Sequence, residues 1–133
     1  MLKAFIVEDS PVIRENLIAT LEELVPLKVL GFADGRHDAV TWLDDPKHHC
    51  DVVIIDLFLR QGSGLEVLEH LGRASHSADR VVLTNYATVD VRRQCTTLGA
   101  SRVFDKSGEI DALIEHCQLL AERRYRLLPD SAA

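Results

Sequence analysis

Residues 52–68, VVIIDLFLRQGSGLEVL, contain the change of period that settles the fold. Val52–Ile55 is an unbroken run of β-branched residues, as expected of a strand buried on both faces of a parallel sheet. The run stops at an acid, Asp56. Gly62 and Gly64 then punctuate a loop, and Leu65, Leu68 and Leu71 recur at helical spacing. A strand, a loop and a helix in that order form the repeating unit of an α/β fold.

The same unit recurs to either side. Upstream, Lys3–Val7 (KAFIV) is rich in strand formers and ends at Glu8 and Asp9. Ser10-Pro11 reads as an N-cap followed by proline at the first helical position, and Ile13, Leu17, Leu21 and Leu24 follow at helical spacing until Pro26. Leu27–Phe32 is a second strand, and Asp38–Leu43 a short helix carrying Val40 and Trp42. Downstream, Val81–Leu83 forms a strand ending at Thr84, and Thr88–Leu98 a helix. Arg102–Phe104 is the last strand, next to Lys106. The final helix, capped by Ser107, carries Ile110, Leu113, Ile114, Cys117 and Leu120. Five strand-helix units in series predict a doubly wound α/β domain around an all-parallel sheet.

In such a sheet ligands sit beyond the carboxyl ends of the strands, at a topological switch point. Glu8, Asp9, Asp56, Thr84 and Lys106 each fall at the end of a predicted strand, so one rim gathers all five. Three converging carboxylates repel one another by roughly 4 kcal/mol per close pair at a surface-like dielectric. They persist together when one is protonated or a cation sits among them. A hard divalent ion with oxygen ligands fits, and Mg2+ is the common choice where phosphate is also a ligand. Either acid of the Glu8-Asp9 pair alone is explained by the start of a helix, where negative charge is favoured. Asp56 at the end of a strongly apolar strand is not. Lys106 supplies a point charge suited to phosphate oxygens, and Thr84 a hydroxyl donor. The set describes phosphorylation of a carboxylate: Asp56 as nucleophile, with the metal and Lys106 neutralising charge on the transferred group.

Composition is compatible with this reading. The chain has 133 residues, enough for one core without disulfide or metal staples, and 47% of them are hydrophobic. A formal net charge of −6 argues against a nucleic-acid surface covering much of the molecule. No apolar run is long enough to span a bilayer, and MLKAFIVEDS lacks a secretory-signal pattern, so a cytoplasmic location with no membrane contact is expected. The three cysteines, Cys50, Cys95 and Cys117, are too widely spaced for a thiolate zinc site and odd in number, so they read as reduced thiols. His48-His49-Cys50 reads as a polar loop, because adjacent residues do not easily converge on one ion. Arg123, Arg124 and Arg126 read as a solvated, cation-favouring helix end.

Four motifs together resemble the receiver domain of two-component response regulators: FIVEDSP, the 52–68 segment, VVLTNYA and GASRVFDKS. The resemblance covers nearly the whole chain, with a receiver expected over residues 1–128 and a tail at 129–133. It implies a flavodoxin-like sheet of order 2-1-3-4-5 with five helices. It also implies that Asp9 and Asp56 ligate Mg2+ directly, that Glu8 acts mainly through water, and that the Phe58 carbonyl completes the protein ligands. Thr84 and Lys106 then contact the phosphoryl group on Asp56. The implied donor is a histidine kinase or histidine phosphotransfer protein. The implied output is a protein target meeting the fourth helix, fifth strand and fifth helix, around Val91, Cys95, Val103, Ile110 and Leu113, with no direct nucleic-acid contact.

The sequence departs from the family pattern in two places. Leu59 and Arg60 stand where many receivers have methionine-proline, so the loop contour is expected to differ. Val103 stands where an aromatic residue often couples to the threonine, with Phe104 beside it on the opposite face of the strand. Phe58 and Tyr86 occupy places where receivers tune loss of phosphate. Among other functions, a haloacid-dehalogenase-like phosphatase needs a second acid two residues after the nucleophile, where this chain has Phe58. An unphosphorylated pseudo-receiver is disfavoured because the acids and lysine are all retained. The expected role is therefore a signalling switch rather than an enzyme, beyond catalysing its own phosphorylation and dephosphorylation. As a sequence it reads as a stand-alone receiver, with a piece of a longer transcriptional regulator as the alternative.

Overall fold

The computed structural model describes residues 1–127; the expected tail at 129–133 lies outside them. Ten elements alternate: β1 (Leu2–Val7), α1 (Pro11–Leu24), β2 (Leu27–Ala33), α2 (Arg36–Asp44), β3 (Val52–Ile55), α3 (Gly64–Arg73), β4 (Asp79–Thr84), α4 (Val89–Thr97), β5 (Arg102–Asp105) and α5 (Ile110–Leu127). All strand pairs are parallel and the sheet order is β2-β1-β3-β4-β5, the flavodoxin-like order expected.

The sheet divides two apolar layers, because side chains alternate along each strand. Phe5, Val7, Val53, Ile55, Val82 and Val103 face one layer, against α2, α3 and α4. Ala4, Ile6, Val52, Ile54, Val81 and Phe104 face the other, against α1 and α5. Val103 and Phe104 therefore point to opposite sides, as strand alternation requires. Trp42 covers the first layer from α2, stacked on Phe5 with ring centroids 4.2 Å apart.

Two local readings need correction. In α1 the buried stripe is Arg14, Leu17 and Leu21, while Ile13 and Leu24 are exposed. Leu17 and Leu21 keep their expected core-facing places, and a buried arginine takes the one expected for Ile13. At the other end, Ser107 does not cap α5, which starts at Ile110. Its amide and hydroxyl both donate to Asp105 Oδ1, closing a tight turn between β5 and the helix. That turn presents Lys106 back towards the sheet.

Candidate functional site

Parallel pairing sets the site. Val7 pairs with Ile55, so Glu8 and Asp56 emerge side by side from β1 and β3, with β2 and β4 on their outer sides. The ladder continues past each strand end: the Glu8 amide donates to the Ala33 carbonyl at 3.0 Å, and the Asp56 amide to the Val7 carbonyl at 2.9 Å. Thr84 pairs with Asp105, and the Lys106 amide donates to the Thr84 carbonyl at 3.0 Å. Backbone bonds thus hold four of the five predicted residues at one rim; Asp9 follows Glu8 and joins them.

Glu8, Asp9 and Asp56 each offer a carboxylate oxygen within 4.8 Å of the others, and no other such group of potential ligands occurs among the described residues. Glu8 is 3% exposed and Asp56 8%. Two acids so far from water require a counter-charge. Lys106 provides it: Nζ donates to Glu8 Oε1 at 2.5 Å and to Asp56 Oδ2 at 2.9 Å. Burial alone would push the Lys106 ammonium towards deprotonation, but the two carboxylates outweigh it and hold its pKa above the ordinary value.

The remaining contacts orient these groups. The Ser10 amide donates to Glu8 Oε2 at 3.2 Å, and the Arg60 amide to Asp9 Oδ2 at 2.8 Å. A proline at position 60 would lack that donor. Thr84 is fully buried and its Oγ1 accepts from the Tyr86 amide at 3.3 Å, leaving the hydroxyl hydrogen for another partner. Gly64 starts α3 under the site, where a Cβ would collide with the Asp56 carbonyl oxygen. Phe58 and Tyr86, each two residues beyond a site residue, are half exposed and meet edge to face with centroids 4.7 Å apart.

Sequence reasoning missed Arg14. Its guanidinium donates to the Glu8 carbonyl at 3.1 Å and to Asp34 at 2.6 Å, and lies 3.8 Å over the Phe32 ring. Its spacing with Leu17 and Leu21 was the available signal. The sequence locates the expected output face only by its neighbourhood, and the structure shows which of the named residues are exposed: Cys95, Val103 and Leu113 are buried, and Val91 and Ile110 are partly so. Cys95, Val103 and Leu113 support that face from beneath, while Val91 and Ile110 remain partly at its surface.

Other candidates resolve as structural. His48 stacks on Trp42, with ring centroids 4.2 Å apart. Cys50, Cys95 and Cys117 are buried free thiols, and burial raises their pKa, Cys50 to about 11 and Cys117 to about 12. Arg124 does not merely solvate a helix end, since it donates to Asp51 Oδ1 at 2.8 Å. No helix among the described residues is long and apolar enough to cross a membrane.

The oxygen-only donor set fits a hard divalent cation. Its oxygens lie within 4.8 Å of one another, a grouping compact enough to converge on one ion with small side-chain movements. Such an ion would take Glu8, Asp9 and Asp56, with Lys106 giving way in part.

Comparisons with known proteins agree on one family. The profile described as response regulator receiver domain matches residues 4–118. The transcriptional regulatory protein MalR of Bacillus subtilis is 27% identical over 111 residues, covering 84% of this chain and 46% of MalR. The chain spans about half the length of the curated relatives it matches. Among solved structures, the receiver domain of a Francisella response regulator superposes with TM-score 0.82 at 19% identity, over 93% of this chain and 99% of that one, a likeness of fold. The signal receiver domain of a DNA-binding response regulator from Colwellia psychrerythraea gives 0.81 at 26% identity, over 92% and 99%.

Proposed function

Because the chain belongs to the response regulator receiver domain family, we propose that it accepts a phosphoryl group on Asp56 from a phosphohistidine of a histidine kinase or histidine phosphotransfer protein. The observation that carries this reading is the Lys106 ammonium bridging Glu8 and Asp56 beside Asp9, at the switch point of the sheet. A magnesium ion would be held by Glu8, Asp9, Asp56 and the Phe58 carbonyl and would supply charge neutralisation for the transferred group. Asp56 Oδ attacks phosphorus in line as the bond to the donor imidazole breaks, and the imidazole leaves with the electron pair. Lys106 turns from the Asp56 carboxylate to an oxygen of the new acyl phosphate. The Thr84 hydroxyl donates to a second oxygen. Phe58 and Tyr86 screen the phosphoryl group from water.

The domain is then a switch in a cytoplasmic two-component relay, catalysing only its own phosphorylation and its loss. Its output passes by protein contact through the face of α4, β5 and α5. A second reading follows from the comparisons: the chain covers about half of relatives named as transcriptional regulators, so the output in that case is a DNA-binding partner domain.

The test is intact mass after incubation with Mg2+ and a small phosphodonor. One phosphate-sized increment is expected, lost on chelation and absent from Asp56→Ala. No increment, together with no structural response to beryllofluoride, would leave an interaction module that is not phosphorylated.

A further inference from the structure

Arg92 lies one turn into α4, and its guanidinium reaches three different segments. Nε donates to the Ala87 carbonyl at 3.0 Å, in the loop that follows Thr84. Nη1 donates to the Val103 carbonyl at 2.7 Å, in β5. Nη2 donates to Glu109 Oε1 at 2.6 Å, just before α5. The same Glu109 oxygen accepts the Asp105 amide at 3.0 Å, and the next residue, Lys106, donates its amide to the Thr84 carbonyl at 3.0 Å.

These contacts close a ring. It runs from Thr84 through the β4–α4 loop to Arg92, across to Glu109, and back through Asp105 and Lys106 to Thr84. Two of its members belong to the phosphoryl site. Val103, which packs its side chain into the α3–α4 layer, enters the ring only through its carbonyl. A planar guanidinium with five donors spans three acceptors that a single ammonium does not.

We propose that Arg92 is a positioning residue for phosphoryl transfer to Asp56, clasping the Lys106 turn to the loop that carries Thr84; this rests on the function proposed above. The chemistry needs Lys106 and Thr84 at fixed distances from the same phosphoryl oxygens, and small misplacements of such groups are costly. The clasp sets that separation without touching the metal ligands.

The experiment measures, on the full chain, the rate of phosphate gain from acetyl phosphate over a series of Mg2+ concentrations. Arg92→Ala, Glu109→Ala and the double variant are compared, with Arg92→Lys as the conservative change. At saturating Mg2+ both single variants are expected to fall by about tenfold, with the half-saturating Mg2+ concentration unchanged. The double variant falls no further than either single one, because both remove the same clasp. Arg92→Lys recovers part of the rate through Glu109 alone. Rates close to wild type, or losses that multiply in the double variant, would overturn the proposal. Amide exchange of the Mg2+-free protein supplies the second readout. Exchange at Asp105 and Lys106 is expected to rise by about tenfold in the Ala variants, with β1 unaffected. Unchanged exchange at both positions overturns the clasp. If the wild-type chain takes no phosphate, the proposed function fails, and the exchange data alone decide whether the clasp holds the turn.

Discussion

Phe58 and Tyr86 show how much one side chain can decide at this rim. Each follows a site residue by two positions, and their rings meet edge to face. An exposed aromatic pair gains little from burial, and under the function proposed above its consequence would lie in water access to a phosphoryl group on Asp56. Phe58→Asn is expected to speed dephosphorylation severalfold relative to an exposed control substitution, measured by decay of the phosphorylated mass; an unchanged rate would leave the rings a mere cover. Asp56 was legible from sequence because neither packing nor helix capping accounts for an acid that ends a wholly apolar strand. Arg14 was not, because a charged residue at one place of an apolar stripe looks like a break in the pattern. Only the fold shows the Glu8 carbonyl, Asp34 and the Phe32 ring that satisfy it.

The helix α3 approaches β3 so closely that its first residue touches the backbone of Asp56, the proposed phosphoacceptor. A methyl group at Gly64 would sit 2.8 Å from the Leu57 Cα and closer still to the Asp56 carbonyl oxygen, neither of which can rotate away. Gly64→Ala is therefore expected to cost about 3 kcal/mol in chemical denaturation, at the upper end for overpacking. The turn into α5 gives a pH dependence. Arg92 holds the Glu109 carboxyl below its usual pKa, and the Asp105 amide adds to this; Ser107 does the same for Asp105. Both folded-state values lie below the unfolded ones, so the stabilisation is present above the ordinary carboxylate range and is lost as pH falls through the folded-state values. A melting-temperature series from pH 6 down to pH 3 should show Glu109→Gln less stable than wild type at the upper end, with the gap closing at the lower. The element order was readable from period alone; the buried arginine of α1 and the start of α5 were not. Helix ends and faces depend on local partners, such as the Asp105 oxygen that captures Ser107.

The two apolar layers and the acidic rim are linked through the sheet. Strands buried on both faces carry Glu8 and Asp56 out of water, and the resulting repulsion must be offset by Lys106 or a metal ion. Mg2+ bound only by the folded chain raises stability by mass action, about 2.7 kcal/mol at a concentration 100 times the dissociation constant. Thermal unfolding should therefore shift upward with Mg2+ and return on chelation, and Asp9→Ala should abolish most of the shift. An Mg2+-independent melting temperature in the wild-type chain would remove the metal from the proposed function. By itself the sequence determined the alternation of strands and helices, the parallel sheet and the residues ending its strands, because period and strand termini are local properties written in the order of side chains. The tertiary structure alone decided that Lys106 bridges Glu8 and Asp56, that Arg14 belongs to the core, that Cys95, Val103 and Leu113 lie beneath the α4–β5–α5 surface, and that Arg92 links two loops. Each of these depends on distances between residues on different elements, which register and packing set and local pattern does not encode.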